Sequence, residues 1–123
     1  MKQLLLVFLG GGLGSSLRYA MSNYLNSTQN GFPYGTFAVN IIGSLLIGII
    51  LGLALKTNAI SQNTMVFLAT GFCGGFTTFS AFAYENHLFL KSGDFMSFAL
   101  YTLASFVVGF AAVFFGMWVV KFF

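Results

Sequence analysis

Four long apolar runs dominate this chain: Leu4–Leu25, Thr36–Leu55, Met65–Leu90 and Phe95–Val120. Each reaches the roughly 20 residues that a helix needs to cross the hydrocarbon of a bilayer. The connections between them are short and hold the turn formers: Asn26 to Pro33, Lys56 to Asn58, and Lys91 to Asp94. Charged residues make up only 6% of 123, too few to cover a water-soluble domain of this size. The expectation is a single all-α integral membrane domain, residues 1–123, with spans at about 4–25, 36–55, 65–90 and 95–120.

The third run contains Thr70-Gly-Phe-Cys-Gly-Gly-Phe-Thr-Thr-Phe-Ser-Ala-Phe82. Gly74 and Gly75 weaken a helix, and the hydroxyls that follow compete for its backbone bonds. In hydrocarbon an interrupted helix is tolerated only where protein or a polar cavity surrounds it. A break from Gly74 to Ser80 is therefore expected, and with it a place that coordinates or conducts.

Charge placement adds to this picture. Met1-Lys2 ahead of an apolar run imitates a secretory signal, but Arg18 and the glycines Gly10, Gly11, Gly12 and Gly14 read as a packed span instead. With four spans, Lys2, Lys56 and Lys121 fall on one side; Lys91 falls on the other, joined by Arg18 if it snorkels. That is a weak bias under the positive-inside rule and compatible with insertion in both orientations. A net charge of +3, dispersed, gives no footing for nucleic acid, and the lone Cys73 cannot form an internal disulfide. One His, one Cys and two acids offer no nucleophile–base pair, so the chain is not read as an enzyme.

The polar residues fall in stripes. Thr36, Asn40 and Ser44 recur every four residues on the second span, as Tyr101 and Ser105 do on the fourth with Thr102 beside them. On the third, Phe79, Phe82 and Glu85 step by threes, with Ser80 adjacent. An amide at mid-span, Asn40, is costly unless hydrogen-bonded. Glu85 reads as a residue near a span end, within reach of water, and His87 as interfacial. Rows of small residues, Ser44–Gly48–Gly52 and Gly10–Gly14, allow close helix approach. Four helices with this many bulky side chains hardly enclose a pathway alone, so a homo-oligomer is expected. With only Glu85 and Asp94 as acids, cations have no carboxylate ring. Phenyl edges are electropositive, and hydroxyls and an amide N–H also donate, so a small anion is the better match.

The motif Gly71-Phe-Cys-Gly-Gly-Phe-Thr-Thr-Phe-Ser-Ala-Phe82, with Gly35-Thr-Phe-Ala-Val-Asn40 and a Gly-rich first span ending in Arg18, resembles the bacterial Fluc/CrcB fluoride channel family. The likeness covers all four spans. It implies a passive fluoride channel of the bacterial inner membrane, an antiparallel dual-topology homodimer with two pores at the subunit interface that export fluoride to lower its toxicity. It also implies a central structural Na+ held by the backbone carbonyls of Gly74 and Thr77. By the same resemblance Phe79 and Phe82 are pore phenylalanines and Asn40 a pore-lining donor. Ser80, Thr36, Glu85, Tyr101 and Ser105 lie along or near the pathway, and Arg18 supplies an electropositive vestibule or a structural contact. The pattern departs at Gly109, where some relatives carry a second serine. Two rival readings are a small proton-coupled multidrug exporter, which needs a carboxylate that Leu4–Leu25 lacks, and a non-transporting membrane assembly subunit.

Overall fold

The computed structural model describes residues 1–26, 31–57 and 60–123; parts of the first two expected connections lie outside them. Among the described residues all regular structure is helical. Helix α1 spans Lys2–Leu25 and α2 spans Tyr34–Thr57. The third crossing is composite: α3 (Gln62–Met65), a stretch of wide turns over Val66–Cys73, α4 (Gly74–Phe76) and α5 (Phe79–Lys91). Helix α6 (Phe95–Val119) ends in a tight turn over Val120–Phe122. Four of these stretches are long and apolar enough to span a membrane: Lys2–Leu25, Tyr34–Lys56, Gln62–Lys91 and Phe95–Phe122.

Polar caps open two of the crossings, and the first of them starts the third crossing at Gln62, ahead of its apolar run. The Ser61 side chain accepts from Thr64 N at 3.1 Å and opens α3. The Asp94 carboxylate accepts from Ser97 N at 3.1 Å and opens α6. Between α5 and α6 the chain reverses through Gly93 at φ +80°, with Asp94 N donating to Phe89 O and Gly93 N to Leu90 O. These two bonds use up carbonyls that the end of α5 would leave unpaired. At the other end of α6, the Lys56 ammonium donates to Val120 O at 3.0 Å and to Phe123 O, placing a cation at a helix C-terminus.

Helix α2 packs most extensively on α6, and α1 on the Val66–Phe76 half of the third crossing. Both contacts are backbone-close. A Cβ at Gly48 would run into Val113 O, and one at Gly75 would meet Gly11 O at 2.5 Å. In lipid, where apolar surface gains nothing by leaving its solvent, such close van der Waals contact is what joins helices. The rest of the surface is unusually apolar: Leu4, Phe8, Phe110 and Phe114 all stand exposed. That surface suits hydrocarbon as solvent, and the chain is a multi-pass membrane protein.

Inside the third crossing, the non-helical residues are Thr77 (φ −85°, ψ 159°) and Thr78 (φ −150°, ψ 117°). Gly74 and Gly75, expected to lie within a break running to Ser80, are helical instead. Gly75 is needed for its missing side chain, which lets α4 lie against Gly11 of α1. The two threonines end one helix and begin the next. Thr77 Oγ1 donates to Cys73 O at 3.0 Å, and Thr78 Oγ1 accepts from Ala81 N at 3.2 Å as the cap of α5.

Candidate functional site

Extended residues in a membrane-buried helix expose backbone groups that must find partners. Asn40 of α2 supplies two of them. Its Oδ1 accepts from Thr78 N at 2.8 Å, and its Nδ2 donates to Thr78 O at 3.1 Å. Arg18 of α1 supplies another, Nε donating to Gly75 O at 2.9 Å, with Ser15 Oγ reaching the same oxygen at 3.4 Å. The guanidinium thus sits at the C-terminal end of the helical stretch closed by α4, where a positive charge opposes the helix dipole. For the carbonyls of Gly74 and Thr77, no hydrogen bond from another element appears among the described residues.

An open cavity of about 390 Å³ borders this interruption, lined among others by Asn40, Ser44, Gly74, Thr77, Phe79 and Phe82. Ser105 of α6 also faces it, and its buried Oγ has no hydrogen-bond partner among the described residues. Phe79 projects outward, 73% exposed, while Phe82 is 7% exposed, and their ring centroids are 5.8 Å apart. From Phe82 the aromatic contact continues to Tyr101, at 5.0 Å.

Toward the α5–α6 turn lies a second polar cluster. Glu85 accepts at both oxygens, from Thr36 Oγ1 at 2.6 Å and Tyr101 OH at 2.8 Å. Glu85 is half-buried, and α2 and α6 each bring a hydroxyl to one of its oxygens. The hydroxyl protons of Thr36 and Tyr101 are therefore committed to the carboxylate. Among the described residues, donors left free to meet an anion include the second N–H of Asn40, the Ser105 hydroxyl, one hydroxyl proton of the Thr78–Ser80 pair and the ring edges. Ser80 is exposed and shares a hydrogen bond with Thr78 Oγ1 at 3.2 Å. The stripe Thr36–Asn40–Ser44 is divided among three tasks: Glu85, Thr78, and a bond from Ser44 Oγ back to Asn40 O at 2.7 Å.

Several contributors were not singled out by sequence. Thr78 is the residue Asn40 holds, and its sign in the sequence was the tandem threonine followed by a helix-forming run. Asn86 donates to Thr102 Oγ1 at 3.0 Å, tying α5 to α6 one residue beyond the Glu85–Tyr101 bond. Among the described residues there is no cluster of His, Cys, Asp or Glu suited to a metal.

The profile of the CrcB-like protein family, described as Camphor Resistance (CrcB), matches residues 5–117. The chain is 50% identical over 122 residues to the fluoride-specific ion channel FluC of Gloeothece citriformis, covering 98% of each. It is 49% identical over 120 residues to the protein of that name from Phocaeicola vulgatus, covering 96% of this chain and 98% of the other. To that from Azobacteroides pseudotrichonymphae it is 42% identical over 124 residues, covering 100% and 99%.

Proposed function

The chain belongs to the CrcB-like protein family, and on that footing we propose that it is a fluoride channel that lets the anion leave the cell passively across the bacterial inner membrane. It is not an enzyme. The observation that carries the reading is the convergence of paired phenyl rings, a free amide N–H and an unpartnered serine hydroxyl on one cavity. None of these groups carries a formal charge. Each offers a partial positive charge that offsets part of fluoride's dehydration without holding the ion as a lysine would, and conduction needs binding weak enough to release. A membrane potential negative inside then drives the anion out, by about 2.3 kcal/mol per 100 mV for one charge.

We further propose that the working unit is an antiparallel, dual-topology homodimer with two pores at its interface. Phe79 supports this: an aromatic ring 73% exposed at the edge of the polar cavity leaves the pathway without a second wall until another copy provides it. The dispersed lysines support insertion in both orientations.

The carbonyls of Gly74 and Thr77 fit a structural Na+. They are uncharged oxygens released at a helix end, the donor type that hard cations take. A Cβ at Gly74 would meet only Ala69 O, at 3.9 Å, so this face is open to approach. Two oxygens are too few to replace a hydration shell, so an ion there requires a second copy to bring its own pair. When bound, the ion would tie two interruptions together across the twofold axis.

The test is flux from liposomes. Purified protein should release trapped fluoride down its gradient, while chloride-loaded vesicles stay nearly silent. Equal chloride and fluoride release would refute selectivity, and no anion release would favour the assembly-subunit reading.

A further inference from the structure

Just ahead of α2 stands the tripeptide Gly31-Phe32-Pro33, and its geometry is built rather than loose. Gly31 turns the chain at φ +77°, and Pro33 has the fixed φ that suits a helix start. Tyr34 N donates to Phe32 O at 2.9 Å, and Phe37 N to Pro33 O at 3.1 Å. This tight turn directs the Phe32 ring inward onto Tyr101, edge-on, with centroids 5.4 Å apart and planes at 76°. Phe89 of α5 meets the same tyrosine at 6.2 Å and 82°, and Phe32 at 6.5 Å. Phe82 closes the deeper side at 5.0 Å. Tyr101 is left with no exposed surface, and Thr36, four residues after Phe32, with 2%.

Glu85 lies six residues before the end of α5, so about 9 Å of helix separates it from the α5–α6 turn. On that side Phe32 and Phe89 both set their rings edge-on against Tyr101. Resting on the channel reading above, we propose that Phe32 is a positioning residue for the pathway. Its ring seals the cluster from water at this end and fixes the angle of Tyr101, keeping the hydroxyl on Glu85. A carboxylate held by two hydroxyls stays in place; a wetted one is free to swing toward the anion route and oppose it electrostatically. The aromatic series Phe79, Phe82, Tyr101, Phe32 then continues from the pathway to the loop. Its outermost member acts on the anion only through Tyr101.

Two measurements on full-length reconstituted protein decide this. The first needs no flux. With Cys73→Ser as background, Thr36→Cys should react slowly with a charged thiol reagent, and adding Phe32→Ala should speed the reaction about tenfold or more by opening a path for water. An unchanged rate overturns the seal. The second is a double-mutant cycle in fluoride flux. Phe32→Leu keeps bulk but loses the ring, and should cut flux about tenfold alone yet change it little in a Tyr101→Phe background, since residues acting through one another are not additive. Equal fold-losses in both backgrounds overturn the positioning role. Should Phe32→Ala not fold, Phe32→Val, which still empties most of the ring's volume, carries the labelling measurement with the same expected outcome. If wild-type protein moves no fluoride, the channel reading fails while the labelling result still decides the seal.

Discussion

Asn40 and Thr78 are joined by a reciprocal pair of bonds across two helices: the amide of one accepts from and donates to the backbone of the other, at 2.8 and 3.1 Å. A side-chain amide has the same N–H and C=O pair as a peptide, so it can stand in for helical bonds that the extended Thr78 gives up. Asn40→Leu removes both bonds and strands a part-buried N–H and C=O, at about 1–3 kcal/mol for each unsatisfied group. Asn40→Asp keeps the acceptor and loses the donor. We expect Leu to lower thermal stability in detergent and abolish flux, with Asp intermediate in stability and equally dead in flux. Wild-type melting of Asn40→Leu would show that the pair does not hold the interruption.

How much of this was legible beforehand follows from the range of each interaction. The four crossings were readable because apolar length is a property of consecutive residues. The earlier start of the third crossing, at Gln62, depended on Ser61, a local cap that an apolar count passes over. Asn40 drew attention because an amide at mid-span demands a partner, but its partner lies 38 positions away and no spacing rule reaches it. The partners of Glu85 were out of reach for the same reason: two hydroxyls from different helices converge on it. Gly75 was read through its backbone freedom, whereas its missing side chain against Gly11 is what the fold uses.

That last difference has a consequence at Gly75. The atoms a Cβ would strike are Gly11 O at 2.5 Å and Gly11 Cα at 3.0 Å, both backbone and unable to rotate away. Gly75→Val should therefore separate α1 from α4 and break the Arg18 bond to Gly75 O, giving little folded protein. Thr77→Ser keeps the hydroxyl that donates to Cys73 O and should retain both fold and flux. Size-exclusion profiles and flux of the two variants check this; a well-folded Gly75→Val protein would refute the close-contact account.

Topology can be tested with the lysines. In a Cys73→Ser background, Lys2→Cys and Lys91→Cys should each be labelled by an impermeant thiol reagent in intact cells, to roughly half of the total in a population inserted both ways. Labelling confined to one of the two positions would establish a single orientation.

Asp94 gives the pH dependence. Its carboxylate accepts hydrogen bonds from the side chain and the backbone N–H of Ser97, and these hold it below the usual carboxylate range. A depressed folded-state value means that the cap contributes fully above the ordinary aspartate range and is lost as pH falls through the lowered value. Hydrogen exchange in the first turn of α6 should therefore stay slow through mildly acidic pH and rise only below the ordinary aspartate range. Asp94→Asn, a comparable cap without a titrating proton, should flatten that rise. The same acid rise in Asp94→Asn would assign it to another group.

The phenylalanines carry the sharpest test, because most of the 17 in this chain simply face lipid or pack. Phe79 and Phe82 are set apart by position: their rings adjoin at 5.8 Å and both border the cavity with Asn40 and Ser105. If a passing anion is stabilised by ring edges, the quadrupole matters beyond volume. Phe→Ile at either position keeps apolar bulk and deletes the quadrupole, so flux should fall at least about tenfold, the effect of roughly 1.4 kcal/mol on the barrier. Phe→Met should be better tolerated, since a flexible, polarisable side chain adapts to the gap. Phe114 and Phe115, exposed near the end of α6, serve as controls and should accept Ile with little loss. Uniform sensitivity across all four positions would identify the rings as packing; undiminished flux in Phe82→Ile alone would take that residue out of the pathway and leave Phe79 as the ring that the anion meets.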